Sequence, residues 1–160
     1  KLHVGDEVAL MPPAGDFFLQ EEAATPVVLL SAGVGLTPML SMLNHLLAGQ
    51  HQAEIRWLHA CEQGALHGFG EDIREKSRQH AHLQSRTWYR IPGERDVQGV
   101  DYDFSGTMQL EQVTDLIPAN AHYYFCGPLG FMKAVKGQLV GLGVPADRMH
   151  YEIFGPHQEI

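Results

Sequence analysis

The chain has 160 residues, room for one domain with a sizeable core but not comfortably for two. Apolar residues make up 44% and charged residues 19%, the balance of a soluble globular protein and not of a disordered one. A formal net charge of −8 with no Lys/Arg run argues against nucleic acid or anionic lipid as a partner.

The first segment differs from the rest. Val4 to Leu10 alternates as a strand, residues 12–16 (Pro-Pro-Ala-Gly-Asp) form a turn cluster, and Phe17-Phe18-Leu19 resumes an extended pattern. Two such strands are marginal alone, so they must lean on the domain C-terminal to them or be poorly ordered. Residues 1–22 are therefore set apart from residues 23–160 as a separate unit.

From Thr25 the rhythm becomes strand, loop, helix. Val27-Val28-Leu29-Leu30 is a continuous apolar run, as expected of a parallel strand buried on both faces. Residues 38–47 show helical spacing, with Pro38 suited to the first turn and Gly49 to the end. A second strand is predicted over 54–59, a polar helix over 70–79 and a third strand over 85–90. Residues 91–106 read as an irregular connection, with a short helix after it near 110–116. The fourth strand spans 122–126, the next helix 131–142 and the last strand 148–154. This alternation predicts a doubly wound α/β fold, a five-stranded parallel sheet ordered 3-2-1-4-5 with helices on both faces.

Two glycine-bearing segments sit where such a sheet binds ligands, at the carboxyl ends of its strands. In Ser31-Ala-Gly-Val-Gly-Leu-Thr-Pro38, Gly33 and Gly35 permit a sharp turn and close approach of a ligand to the backbone. Thr37 and the first N–H groups of the helix at Pro38 would then meet a pyrophosphate at the positive end of the helix dipole. The spacing departs from G-x-G-x-x-G, because no glycine stands three positions after Gly35. Cys126-Gly127-Pro128 ends the fourth strand across the topological switch point, so a ligand bridging both segments is of dinucleotide length. Cys126 lacks a nearby His or Lys in sequence to lower its pKa, so a packing role beside a reactive ring is expected of it and not nucleophilic attack.

Glu62, after the second strand, would repel a 2′-phosphate and favours NADH. Arg90, ending the third strand, could reach such a phosphate instead, or be an exposed strand-end charge. Of ten histidines, His80 and His82 form the closest pair, but no Cys, Asp or Glu stands at ligand spacing, and no metal is assigned. The two cysteines, Cys61 and Cys126, fit a reducing cytoplasm better than a disulfide framework. No stretch has the length of a membrane span, and the N-terminus lacks the pattern of a secretory signal.

Taken in order, these segments resemble one family. Val4-Gly5-Asp6, residues 13–18, Ser31 to Leu40, Thr87-Trp-Tyr-Arg90, Cys126 to Met132 and His150-Tyr-Glu-Ile-Phe-Gly-Pro-His157 are similar to the pyridine-nucleotide domain of the ferredoxin–NADP reductase superfamily, most of all that of bacterial flavohaemoglobins, which are nitric oxide dioxygenases. The resemblance implies that Gly33, Val34, Gly35, Leu36, Thr37 and Pro38 bind the nicotinamide dinucleotide. It implies that Cys126, Gly127 and Pro128 line the place where nicotinamide meets flavin. Phe154, Gly155 and Pro156 match the segment that covers the flavin ring, and Glu152 matches a carboxylate thought to tune flavin and haem potentials. Ile153 stands where these proteins usually carry cysteine, so a thiol role there is lost while backbone contacts survive.

The resemblance also makes residues 1–19 the last strands of a flavin barrel. The Arg-x-Tyr-Ser/Thr motif that grips FAD and the globin segment are not in this sequence. The chain is thus expected to be part of a longer reductase. FAD and haem would be bound mainly by the FAD-binding and globin domains of the same parent chain. A ferredoxin or oxygenase reductase component, or a non-catalytic nucleotide sensor, stands as the alternative.

Overall fold

The computed structural model describes residues 3–9, 17–20, 24–153 and 160. Among the described residues six parallel strands form one sheet: β1 (Val27–Ala32), β2 (Ile55–Cys61), β3 (Leu83–Tyr89), β4 (Phe104–Ser105), β5 (His122–Cys126) and β6 (Met149–Glu152). Their order across the sheet is β4-β3-β2-β1-β5-β6. The five predicted strands occupy the predicted 3-2-1-4-5 order, and β4 is added at the edge beyond β3.

That sixth strand lies in the stretch expected to be irregular. Two residues are too few to show a period of two, and tertiary contact sets this strand. Phe104 pairs with Trp88 in the ladder, and their rings stack at 4.9 Å. Asp103 N–H donates to the Thr87 carbonyl, while its carboxylate accepts the Thr87 N–H at 2.8 Å.

The β1 alternation divides the core. Val28 and Leu30 face a layer with Leu58, Trp88 and Phe125 beneath α3 (Leu129–Gly141). Val27 and Leu29 face the opposite layer, with Trp57 and Tyr124, beneath α1 (Leu36–Ala48) and α2 (Gly70–Gln79). Burial on both faces is what a central parallel strand requires. Gly49 caps α1, its N–H donating to the His45 carbonyl. The helix expected over 110–116 is instead a short 3₁₀ turn over Leu110–Val113. Its start is fixed by Gln138 on α3, whose side-chain oxygen accepts the Leu110 N–H at 2.6 Å.

The N-terminal strands are not formed among the described residues. Residues 3–9 hold a turn at Val4-Gly5 and no strand. Val4 is fully exposed, so the alternating pattern has no apolar face to lie on. Residues 17–20 also form no strand but do lean on the domain. Phe17 and Leu19 pack on the α1-side core, and Gln20 N–H donates to the Tyr124 hydroxyl at 2.8 Å. The strand expected to run through 154 ends at Glu152, and Phe154 lies outside the described residues.

The polar groups inside the sheet are mostly satisfied. At the amino ends of the strands the buried Arg56 guanidinium donates to the carbonyls of Leu116, Ile55 and His82 and pairs with Glu54 at 2.7 Å. On the outer strands His122 and His150 meet edge to edge, Nδ1 to Nε2 at 2.8 Å with rings 17° from coplanar. Near the carboxyl ends Ser31 Oγ lies 2.8 Å from His59 Nδ1. His59 stacks on His67, whose Nδ1 lies 2.9 Å from the Tyr89 hydroxyl.

Burial drives the His59 imidazole down to about 3, with the nearby His67 adding to the effect and the Ser31 contact opposing it. Its Nε2 has no hydrogen-bond partner among the described residues. His59 binds its proton in the unfolded chain first, because its folded pKa lies below the ordinary value of 6.5. Stability is therefore fully present above about pH 6.5 and is lost as pH falls toward 3, by at most about 1.4 kcal/mol per pH unit for this one group. His51, His67 and His150, also lowered by burial, add in the same direction. Urea unfolding at pH 7, 5.5 and 4.5 checks this, and His59→Asn is expected to flatten the dependence.

Candidate functional site

The carboxyl ends of β1, β2, β3 and β5 open onto one crevice of about 580 Å³. Its floor is Ala32-Gly33 after β1 and Ala60-Cys61-Glu62 at the end of β2. Pro128, Gly130 and Phe131, at the start of α3, form one wall. Arg90 and the segment Gly106-Thr107-Met108-Gln109 form the other.

The two predicted glycine segments are in contact, and the contact is made by backbone. A Cβ on Gly35 would stand 2.1 Å from the Cys126 carbonyl oxygen and 2.7 Å from the Gly127 nitrogen. Gly127 is similarly confined, since a Cβ there would meet the Phe131 ring at 2.7 Å and Ala32 at 3.2 Å. Gly33 serves differently. It faces open space but has φ +52°, a conformation that L side chains rarely adopt. One glycine gives the turn and the other gives the close approach.

Both long helices begin at this junction. The N-cap of α1 is Gly35 and that of α3 is Pro128, and neither has a side-chain cap. In α1 the Leu36 N–H already donates to the Gly33 and Val34 carbonyls and Pro38 has no N–H, so α1 offers an anion chiefly the positive end of its dipole, while the first-turn amides of α3 are open to water or a ligand. That donor set, beside an open crevice, fits a pyrophosphate.

The other predicted residues are dispersed around this junction. Val34 is exposed, whereas Leu36 is buried in the α1-side core, leaving only its backbone near the turn. Thr37 is exposed, and its hydroxyl donates to the Val34 carbonyl at 3.2 Å. Pro38 lines a separate cleft of about 620 Å³ between α1 and residues 17–20. Cys126 is fully buried, and its thiol donates to the Glu152 carbonyl at 3.6 Å. Burial, with the Glu152 charge adding, raises the Cys126 thiol to about 11, so it is no nucleophile at neutral pH. Glu152 is exposed at the end of β6, and Ile153 packs against the α3-side core. Phe154, Gly155 and Pro156 lie outside the described residues.

Glu62 and Arg90, rivals by sequence, are partners in space. Arg90 Nε donates to Glu62 Oε1 at 2.6 Å, and a second guanidinium nitrogen donates to Oε2 at 2.5 Å. The bond from Arg90 holds the Glu62 carboxyl below its usual range, and the same bond raises Arg90. The guanidinium is engaged by the very carboxylate whose role it was expected to oppose.

Leu66 and the Gly106–Gln109 segment also line the crevice, and the sequence reading does not include them. The signal for the latter is present, since Gly106 comes directly after β4 with φ +96°, the same strand-then-glycine punctuation seen after β1. It is hidden because β4 itself has no local pattern. Among the described residues no group of three or more His, Cys, Asp or Glu could hold a metal ion. Gly35→Ala is expected to separate the two loops and cost several kcal/mol, because backbone atoms cannot yield to the added methyl. Thermal melting checks this, with Gly130→Ala, which meets nothing within 4 Å, as the tolerated control.

Residues 29–137 match the family described as oxidoreductase NAD-binding domain. Over 159 residues the chain is 47% identical to a flavohemoprotein of Chromobacterium violaceum, covering 98% of this chain and 39% of that protein. It therefore spans about two fifths of that relative's length. The flavohem-like FAD/NAD-binding domain of nitric oxide dioxygenase from Vibrio cholerae is similar in structure, with TM-score 0.75 and 40% identity over 90% of this chain and 56% of that one. A flavohemoglobin of Malassezia yamatoensis, solved with FAD and heme bound, superposes with TM-score 0.75 at 28% identity over 94% of this chain and 39% of that one. With its crevice, glycine turns and family match in agreement, the chain belongs to the oxidoreductase NAD-binding domains.

Proposed function

We propose that this chain is the nicotinamide-binding domain of a flavohaemoglobin-type nitric oxide dioxygenase and that its nucleotide is NADH. The observation that carries the reading is the crevice itself, which joins two helix starts without side-chain caps to the Glu62–Arg90 pair. When bound, NADH supplies a hydride to a flavin, whose electrons then serve a haem that turns over nitric oxide with O₂.

The residues of this chain bind and orient. Gly33 and Val34, with Leu36, Thr37 and Pro38 at the positive end of the α1 dipole, receive the pyrophosphate. Glu62 accepts from the adenosine ribose hydroxyls on the side away from Arg90. Cys126, Gly127 and Pro128 present the nicotinamide ring, with Glu152 and residues 153–156 beside the flavin. Catalysis of this kind is positioning, since the redox chemistry belongs to the cofactors. The FAD-binding and globin units are the partners in this reading, residues 1–22 lead toward the flavin unit, and the setting is the cytoplasm. The lengths of the flavohemoprotein relatives, well beyond 160 residues, support it.

Calorimetric titration of the chain with NADH and NADPH tests the proposal. Saturable binding with NADH clearly tighter is expected. Glu62→Gln releases Arg90 and is expected to improve NADPH binding by about tenfold, the scale of one charge-assisted phosphate contact. Absence of binding by either nucleotide would overturn the reading.

A further inference from the structure

We propose that Asp96 is the positioning residue that holds the Glu62–Arg90 pair in its NADH-selective arrangement. The inference rests on the nucleotide reading proposed for the crevice. Asp96 does not line the crevice. It faces a neighbouring cavity that also contains His67 and Tyr89, and it acts through the two loops that carry the pair.

Beyond the ends of β2 and β3 the ladder continues, with Arg90 N–H donating to the Cys61 carbonyl and Ile91 N–H to the Glu62 carbonyl, both at 2.9 Å. The loops then separate. Asp96 ties them again, because its Oδ2 accepts the Gly64 N–H at 2.9 Å and the Gly93 N–H at 2.8 Å. The Asp96 N–H returns to the Gly93 carbonyl at 3.0 Å, which fixes the carboxylate on its own loop. Gly64 is fitted to this clamp, since a Cβ there would lie 2.2 Å from Asp96 Oδ1.

The ion pair needs such a frame. Glu62 and Arg90 are each about half exposed, at 50% and 53%. An exposed pair pays side-chain entropy to hold two long side chains in one geometry, and the bidentate form is the one most dependent on where the two side chains start. Their bidentate alignment is therefore inherited from the backbones at 62 and 90, which sit between the last ladder bonds and the Asp96 clamp. With the clamp open, Arg90 is free to leave Glu62 for a 2′-phosphate.

Both clamp bonds end on one oxygen, and that gives the decisive variant. An amide carbonyl oxygen has two lone pairs and can accept both N–H groups, so Asp96→Asn keeps the clamp, whereas Asp96→Ala removes it. The affinity ratio of NADH to NADPH, measured by calorimetry on the full chain, is the readout, with thermal melting alongside. We expect Asp96→Ala to reduce the ratio at least fivefold and Asp96→Asn to stay within twofold of wild type. Gly64→Ala breaks the clamp from the other loop and is expected to repeat the loss, which covers a poorly folded Asp96→Ala. A ratio unchanged in Asp96→Ala and Gly64→Ala, with only the melting temperature lowered, overturns the proposal. So does an Asp96→Asn that behaves like Asp96→Ala. A wild type that binds neither nucleotide, or both equally, overturns the reading on which the proposal rests, and the proposal with it.

Discussion

The constraint on which this structure turns is a contact between two stretches of backbone. Between β1 and β5 the strand order reverses, and there Gly35 lies against the Cys126 carbonyl with no room for even one methyl group. A crevice at a switch point exists because helices depart to opposite faces of the sheet. Here both departures are compressed into a few residues, and Gly35 and Gly127 are what allow it. The two helix starts are consequently held at a fixed separation, suited to a ligand with an anionic middle and two flat ends.

Electrostatics then separates the ends of the crevice. The side near Cys126 is apolar, with a thiol raised by burial, and the charge beside it is the exposed Glu152 carboxylate. The side near Glu62 and Arg90 is open, half exposed and paired. A net charge of −8 opposes any polyanion approaching from afar, so attraction for a nucleotide has to be local, from helix amides and one engaged guanidinium. Selectivity in such a site depends less on which charges are present than on whether they are occupied by each other.

Most of the fold is legible in the sequence, and the reasons are particular. The run at 27–30 is apolar because β1 is covered on both faces, as a central parallel strand needs. Pro38 and Gly49 punctuate α1 because each suits only certain places in a helix. The features that are not legible are set by tertiary contact. β4 owes its existence to a stacked Phe104–Trp88 pair, which no local pattern carries. The alternation at 4–10 is genuine but finds no apolar surface to cover, so it forms no strand among the described residues. At the site, residue types show that Glu62 and Arg90 matter, but only geometry shows that they bind one another. Asp96 is invisible for the same reason, since its partners are backbone N–H groups that every residue but proline possesses.

The brevity of the outermost strands has a consequence of its own. β4 pairs only with Trp88 and Tyr89, so the open edge on that flank is the short remainder of β3 over residues 83–86, and on the other flank β6 has four residues. Long flat edges are templates for strand addition between molecules, and short ones are a recognised defence against it. This sheet is therefore poorly suited to growing sideways into aggregates. Its polarity directs recognition along the strands and not across them, toward the end where the crevice opens.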